Sequence, residues 1–515
     1  MVQIADYRRI LNHCLGYLDG VIYPKDWVAP PARLQQVTSN DVMSYFNFKV
    51  YGNPVWDPAE DPNPLYRSNT IKNWKKSISH FMPQRLAVWN EQTQSGNPTR
   101  SDAMNQLLKR VKRKEVRKQG RPSRATRSFK EHEYRETVAR LQMEQSVKRR
   151  YGVPSLMSFQ FSMAGRIDDC CMWEKGNLAA NQRYPAVALK AKIAWSKNVT
   201  EEREAPWQNL FGAMDPVFCV LVHLALWLEM MFRLIPGSAM SPYVYHFSND
   251  INVPGGGKKS NTYVQRTCRD IWGDINDEDT PLGTHSNRKF ARSYARNRGP
   301  QKDDVDVRGR WKCKRVSDVY EDTELPYVDA WVCETLCVGG ACAYIVRDNC
   351  VTDQWIMETV CPNILANYGA PIAAILGKAL LWLIFSDKSA WVPPNIVTAV
   401  RNAYNLVPTR LDDGENPIEK RLIVVSEAGG SFNLTILDHD LANQVQQQQG
   451  GGGAGAGAAP QHIRTMLLAL TQQMMNLQQQ VNEQRAHGDG NYERMYQQLR
   501  NINSGVRRIA RQPGI

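Results

Sequence analysis

The amino-acid sequence predicts a mainly α-helical protein with a small antiparallel β-sheet, which puts it in the α+β class. Three observations lead to this expectation. Apolar residues recur at helical spacing in most segments of the chain, a periodicity typical of amphipathic helices. Residues 186–195 are typical of a strand, with partial alternation of apolar and polar side chains. The chain also has 515 residues, too many for one hydrophobic core, which favours two or three domains.

Residues 1–108 are expected to form a helical N-terminal domain. Within residues 68–82, Ile71, Trp74 and Ile78 share one helical face while lysines occupy the others. A turn at residues 96–99 precedes a further helix, for which Ser101 is the expected N-cap.

Residues 109–130 form the most basic segment, with eleven lysines and arginines against the single acid Glu115. We expect an interdomain linker that acts as a nuclear localisation signal, as a strap along a phosphate backbone, or as both. The net charge of +13 and the isoelectric point near 9.2 favour a polyanionic partner, without separating DNA from RNA or an anionic membrane. The expected nucleic-acid contacts are Lys109, Arg110, Lys112, Arg113, Lys114, Arg117, Lys118, Arg121, Lys258 and Lys259.

The larger domain is expected to follow the basic segment and to be mostly helical. Its predicted helices cover residues 131–150, 216–234, 287–297 and 328–336. The glycine-rich residues 254–260 are similar to a phosphate loop, but Asn252 stands where the first glycine of that motif is required. A mobile basic loop is the favoured interpretation of this segment.

Two apolar runs need to be tested as membrane spans. Residues 217–235 contain three ionisable side chains, and residues 371–385 are short and include Lys378. A span needs ~20 apolar residues with few charges. Both runs are therefore expected to be buried core helices, and no membrane partner is expected.

The 11 cysteines, in a chain without an apolar N-terminal signal segment, favour reduced thiols in an intracellular protein. The tightest cluster lacks the CxxC spacing and the histidine pair of a zinc site, so buried free thiols are favoured and no metal is expected. That cluster consists of Cys333, Cys337, Cys342 and Cys350.

The composition changes near residue 440. Residues 441–460 are rich in glutamine, glycine and alanine and are typical of a flexible linker. Residues 461–515 then show apolar side chains close to a heptad spacing, from Ile463 to Val481. We expect an amphipathic oligomerisation helix at this end of the chain.

A group of phosphate-binding and nucleophilic residue types lies between residues 283 and 320. His285 and Arg288 are three residues apart, so they share a face at the start of a predicted helix. Trp311 follows, and Tyr320 stands nine residues after it. Any one of these residues would be an ordinary surface or core residue by itself, and their order and spacing are what indicate a site.

This pattern resembles the second half of the active site of tyrosine recombinases, the family of phage integrases and of eukaryotic Crypton and DIRS-like mobile elements. That family also requires an arginine followed three residues later by an acid, for which Arg166 and Asp169 are the matches. It further requires a lysine on a β-hairpin, matched here by Lys197, with Lys190 and Lys192 as alternatives. The resemblance covers residues 166–320 and does not extend to the C-terminal tail.

The resemblance implies a set of roles. Arg166 and Arg288 would hold the non-bridging oxygens of a phosphodiester, with N–H donors from His285 and Trp311 and with Asp169 as a supporting acid. Tyr320 would attack the phosphorus, and Lys197 would protonate the leaving oxygen. The covalent link conserves the bond energy, so no cofactor, metal or ATP is expected.

The family also implies an organisation. Residues 1–108 would be a core-binding-like DNA-binding domain, 131–326 the integrase-like catalytic domain, and 327–440 an added helical subdomain. The implied partners are double-stranded DNA and further copies of the chain, as a tetramer on DNA, in the nucleus if the source is eukaryotic. The implied reaction is DNA recombination or integration of a mobile element. A domesticated DNA-binding protein without cleavage and a type IB topoisomerase-like enzyme are the alternatives.

Overall fold

The computed structural model describes residues 2–123, 125–182, 184, 187–195, 205–247, 256–311, 326–346, 350–408 and 422–426. Over these residues the protein is mainly helical with short antiparallel strands, so the predicted α+β class is confirmed. The chain divides into two compact units, residues 1–125 and residues 126–515.

The first unit is an all-helical bundle over its described residues. Its helices are α1 (Val2–Asp19), α2 (Pro31–Gln35), α3 (Ser39–Tyr51), α4 (Ser68–Ser79) and α5 (Asp102–Val116). Local signals account for several boundaries. The Thr38 hydroxyl accepts a hydrogen bond from the Asp41 amide at the start of α3, and Ser101 does the same for Met104 at the start of α5. Gly52 ends α3 in the left-handed conformation, at φ 81°.

The second unit contains the remaining elements. Before residue 247 they are α6 (Glu131–Gln142), α7 (Val153–Ser162), α8 (Ile167–Cys171), β1 (Leu178–Ala180), β2 (Leu189–Lys192), β3 (Trp207–Leu210), β4 (Gly212–Ala213) and α9 (Val220–Leu234). After it they are α10 (Gly256–Ile275), α11 (Thr284–Arg296), α12 (Lys302–Arg308), α13 (Pro326–Leu336), β5 (Ala341–Val346), α14 (Asp353–Thr359), α15 (Pro362–Tyr368), α16 (Ala370–Phe385), α17 (Pro394–Asn405) and β6 (Leu422–Ser426).

Two small antiparallel sheets lie within the described part of this unit, whereas the sequence predicted one. The first has the order β1-β2-β3 and pairs Leu178 with Ala191 and Lys190 with Asn209. The second has the order β4-β5-β6 and joins strands that are distant in the chain. Strand β4 has only two residues and a weak local strand signal, so long-range pairing forms it, whereas β6 is rich in β-branched residues.

Helix α9 runs through the centre of the core. Every residue from Val220 to Met231 is buried, and α16 packs along it. The two ionisable side chains in this stretch have partners: His223 Nε2 is 3.0 Å from the carbonyl oxygen of Val217, and Glu229 accepts bonds from Asn363. Both predicted core helices are thus buried as expected. No helix in the described ranges is long and apolar enough to cross a membrane.

Three expectations about this unit differ from the structure. Helix α6 ends at Gln142, and a π-helical turn over Lys148–Gly152 follows, so residues 131–150 are not one helix. Gly256 already begins α10, so Lys258 and Lys259 lie in a helical turn rather than in a loop. Residues 326–408 share one hydrophobic core with residues 129–311 and supply a strand to its second sheet. They are not a separate helical subdomain, because the apolar faces of their helices pack against α9 in the same core.

Ten cysteines lie in the described ranges, all of them free thiols and all but Cys350 buried. No cluster of three or more His, Cys, Asp or Glu side chains that could hold a metal is found among the described residues. The cluster around Cys333 and Cys337 is a set of core thiols, with the two sulfur atoms hydrogen-bonded to backbone oxygens.

Candidate active site

Three chain segments meet beside α7: the start of α8, the start of α11, and the residues that follow α12. Gln160, buried on α7, joins the first two by donating hydrogen bonds to the carbonyl oxygens of Gly165 (3.3 Å) and Thr284 (2.9 Å). Asn287 on α11 is tied back to α7 by a 2.7 Å bond to the Met157 carbonyl. These buried amide contacts fix the spacing between the two helix starts.

Arg166 is the N-cap residue of α8, in an extended backbone conformation, and is half-buried. Burial, and with it the positive charge of Arg166, lowers the pKa values of the other two arginines at the site, Arg288 and Arg310. The three guanidinium groups therefore lie close enough to repel one another.

Arg288 lies on α11 and is 6% exposed. Its Nη2 donates a 2.6 Å hydrogen bond to the carbonyl oxygen of Gly309, and its guanidinium lies 4.2 Å from the ring centre of Trp311. Burial, followed by the charges of Arg166 and Arg310, lowers the pKa of Arg288 to about 10. The group is still a cation at neutral pH, and its plane is held by the indole ring.

Trp311 is half-buried, and its ring faces a second arginine, Arg292, at 5.3 Å. Arg292 in turn donates a 3.1 Å hydrogen bond to Asp306. In the structure Trp311 thus supports the orientation of α11 arginines.

Arg310 is a site residue that the sequence did not suggest. Its side chain is 6% exposed, and its backbone has a φ of 52°. The nearest acid is Asp169, itself buried, whose Oδ2 is 4.0 Å from Arg310 Nη2, beyond hydrogen-bonding distance. The signal available in the sequence was only its position between Gly309 and Trp311.

His285 lies on α11 and is exposed, one turn before the buried Arg288. Its charge, with that of Arg166, acts on Asp168. Burial nevertheless raises the pKa of the Asp168 carboxyl, against a hydrogen bond from Asn261 that lowers it. His285 and Asp168 thus lie at the rim of the arginine cluster.

Two of the predicted catalytic residues, Lys197 and Tyr320, lie outside the described residues. The alternative lysines Lys190 and Lys192 are both half-buried on β2, and Lys190 Nζ lies 5.1 Å above the Trp207 ring. The residue after the end of β2 lies close to the site. A Cβ atom added to Gly165 would be 3.8 Å from Ile193 Cδ1.

The basic segment is helical over its first residues, because α5 continues to Val116, and its residues up to Ala125 belong to the first unit. An exposed basic surface comprises Lys109, Lys112, Arg113, Arg117, Lys118 and Arg121. Two residues of the predicted set differ. Lys114 is buried and pairs with Asp61 at 2.5 Å, and Arg110 stacks on the Trp56 ring at 3.9 Å. Lys114 therefore does not belong to the exposed basic surface, because its helical position faces the core.

In comparisons with known proteins, no protein-family model and no curated protein matches this chain.

The geometry defines a buried cationic site. The charges of Arg166 and Asp169 act on both Arg288 and Arg310, so three guanidinium groups outnumber the carboxylates of Asp169 and Asp168 at the site. Such a site can bind a tetrahedral oxyanion through planar, bidentate donors.

Proposed function

We propose that this protein binds double-stranded DNA and cuts and rejoins one strand through a covalent 3′-phosphotyrosyl bond at Tyr320. The observation that carries the proposal is the convergence of Arg166 and Arg288 with Asp169 and Trp311, residues from segments far apart in the chain. An arginine pair of this kind is suited to the two non-bridging oxygens of a phosphodiester.

In the proposed reaction, the phenolic oxygen of Tyr320 forms a bond to phosphorus while the bond from phosphorus to the 5′ oxygen breaks. The phenolic proton passes to His285, which is solvent-exposed at the rim of the site. The 5′ oxygen takes a proton from a lysine, for which Lys197 is the proposed donor. Rejoining is the reverse attack by the 5′ hydroxyl, so the reaction needs no external energy source.

The charge of the site serves this chemistry in two ways. Cationic guanidinium groups stabilise the charge that develops on the phosphoryl oxygens in the transition state. The same field favours the phenolate form of a tyrosine, whose ordinary pKa is about 10. Burial of Arg288 strengthens both effects, because the local dielectric constant is lower than in water.

The test is adduct formation on a nicked duplex. Bound duplexes are first selected from a random-sequence pool, and the selected site is then nicked just 3′ of the expected cleavage position so that the reaction cannot reverse. We expect the wild type to form an adduct that survives detergent, and Tyr320→Phe to bind DNA with unchanged affinity and form none. Tyr327→Phe is the matched control and should keep the adduct.

An adduct formed by Tyr320→Phe would exclude this tyrosine as the nucleophile. Absence of any adduct from the wild type on its selected site, with DNA binding intact, would favour the second candidate, a DNA-binding protein without cleavage. The exposed basic surface of the first unit supports that candidate, because it requires no catalytic residue.

A further inference from the structure

Arg310 is a buried cation without hydrogen bonds. Its Nε, Nη1 and Nη2 atoms are all buried, and none has a hydrogen-bond partner in the described part of the chain. A guanidinium carries five N–H donors and does not lose its charge at physiological pH. Buried donors of this kind are rare in native proteins and call for an explanation at each position.

The surroundings do not neutralise this charge. Asp169 is the closest acid, at 4.0 Å, and its charge also acts on Arg288. Burial, and after it the charges of Arg166 and Arg308, hold the pKa of Arg310 below its usual value despite Asp169 and Cys170. Positive charge is thus concentrated where water is largely excluded.

The backbone holds the side chain in this position. Arg310 adopts the left-handed region, at φ 52°, which is uncommon for a residue with a Cβ atom. Gly165 packs beside it, since a Cβ at that position would be in ordinary contact with Arg310 Nη2, at 3.5 Å. Strain that persists at one residue is typical of functional sites.

We propose that Arg310 is a third phosphate-binding arginine, and that with Arg166 and Arg288 it encloses the non-bridging oxygens of a DNA phosphodiester. The identity of the ligand, a DNA phosphodiester, rests on the proposed function. The existence of an anion site rests on the Arg310 N–H donors, which make no hydrogen bonds in the described part of the chain. It predicts that the protein without an anion is less stable than it would be with an apolar side chain at position 310. The bound phosphodiester supplies the missing acceptors.

The first experiment measures anion binding without DNA. Inorganic sulfate is titrated into the full-length protein, and binding is followed by calorimetry and by thermal unfolding. We expect saturable binding by the wild type. The affinity of Arg310→Met for sulfate should be at least ~10-fold weaker, because loss of a hydrogen bond to a charged group lowers affinity by about that factor. Comparison at equal sulfate removes the general stabilising effect of this salt.

Two variants keep the test independent of folding. Without sulfate, Arg310→Met should unfold at a higher temperature than the wild type, because it removes a buried charge that makes no hydrogen bond in the described part of the chain. Arg310→Lys keeps one charge and should bind sulfate with intermediate affinity. Equal sulfate affinity in the wild type and in folded Arg310→Met would overturn the proposal.

A competition experiment identifies the source of the oxyanion. Increasing duplex DNA should displace sulfate from the wild type, and failure to displace it would overturn the phosphodiester assignment. The outcome for the proposed reaction is separate. If Arg310-dependent sulfate binding is found but no tyrosyl adduct forms, the proposal of DNA cleavage is contradicted, whereas the proposed anion site is supported. If the adduct forms equally well with Arg310→Met, the proposed phosphate-binding role of Arg310 is contradicted, whereas the proposal of DNA cleavage is supported.

Discussion

Arg308 and Arg310 are two residues apart, and both have buried side chains, yet the two regions around them differ in every contact. The Arg308 guanidinium donates to the carbonyl oxygens of Ser162 (2.7 Å) and Asn209 (2.9 Å) and pairs with Asp329 at 2.5 Å. Arg310 has no hydrogen bond within the described ranges. The difference teaches that burial alone does not indicate the role of a charged side chain, whereas the state of its donors does.

The side chain of Arg308 connects secondary-structure elements of the second unit. It links α7, β3 and α13 in one hydrogen-bonded cluster, and Gln208 adds a bond to the Arg308 carbonyl. The ion pair with Asp329 raises the pKa of Arg308 even against full burial. The Arg310 region is the opposite case, in which burial, together with nearby like charges, lowers the pKa of the arginine.

Arg308→Met should give the largest effect on stability. Removal of one partner of a buried, fully bonded pair costs about 3–5 kcal/mol, and here it also removes the guanidinium donors to the Ser162 and Asn209 carbonyls. The free energy of unfolding from urea denaturation should fall by that amount, whereas Arg310→Met should not lower it. A similar loss for both variants would remove the distinction between the two regions.

Arg288→Lys should weaken anion binding more than it weakens the fold. Lysine does not reproduce the planar contact with Trp311 or the bidentate donation of a guanidinium. Sulfate affinity should fall by about 10-fold or more, since hydrogen bonds to charged groups contribute about 1.5–3 kcal/mol. Arg292→Lys, at an exposed position against the same ring, is the matched control and should leave sulfate affinity unchanged.

Gly165→Ala should disturb both the fold and the anion site. The added Cβ would lie 2.5 Å from Cys170 Sγ, so the buried Cys170 side chain or the backbone beside Arg166 must shift. Overpacking of this kind costs about 1–3 kcal/mol, measured as a loss in unfolding free energy, with weaker sulfate binding in addition. Gly176→Ala has open space around its Cβ and is the control. Identical behaviour of the two variants would contradict the tight packing at Gly165.

Neutralising the exposed basic surface should give the smallest effect on stability and a distinct effect on DNA affinity. The triple variant Lys112→Ala, Arg113→Ala and Arg117→Ala removes up to three phosphate contacts. The salt dependence of DNA binding should then flatten by up to about 0.9 units of slope per contact. Lys114→Ala, at the buried position paired with Asp61, should lower stability and leave the slope unchanged. An unchanged slope in the triple variant would mean that this surface does not contact DNA.

Local sequence signals predicted the elements whose energetics are local. Ser101 caps α5 as expected, α4 follows its apolar spacing, and the run from residue 217 forms the buried helix α9. For the candidate site, the order of Arg166, Asp169, Arg288 and Trp311 along the chain was sufficient to propose that they meet. Capping and periodicity depend on neighbours within a few residues, which any window of the sequence contains.

Only the tertiary structure decided which charged groups have partners. The sequence places Arg308 and Arg310 in equivalent surroundings, and it predicted Lys114 as a DNA contact although that side chain turns inward to Asp61. It also predicted one sheet, whereas β4, β5 and β6 pair across most of the second unit. The physical reason is common to these cases. The free energy of a buried charge or an edge strand depends on acceptors supplied by distant segments, and these segments meet only in the folded chain.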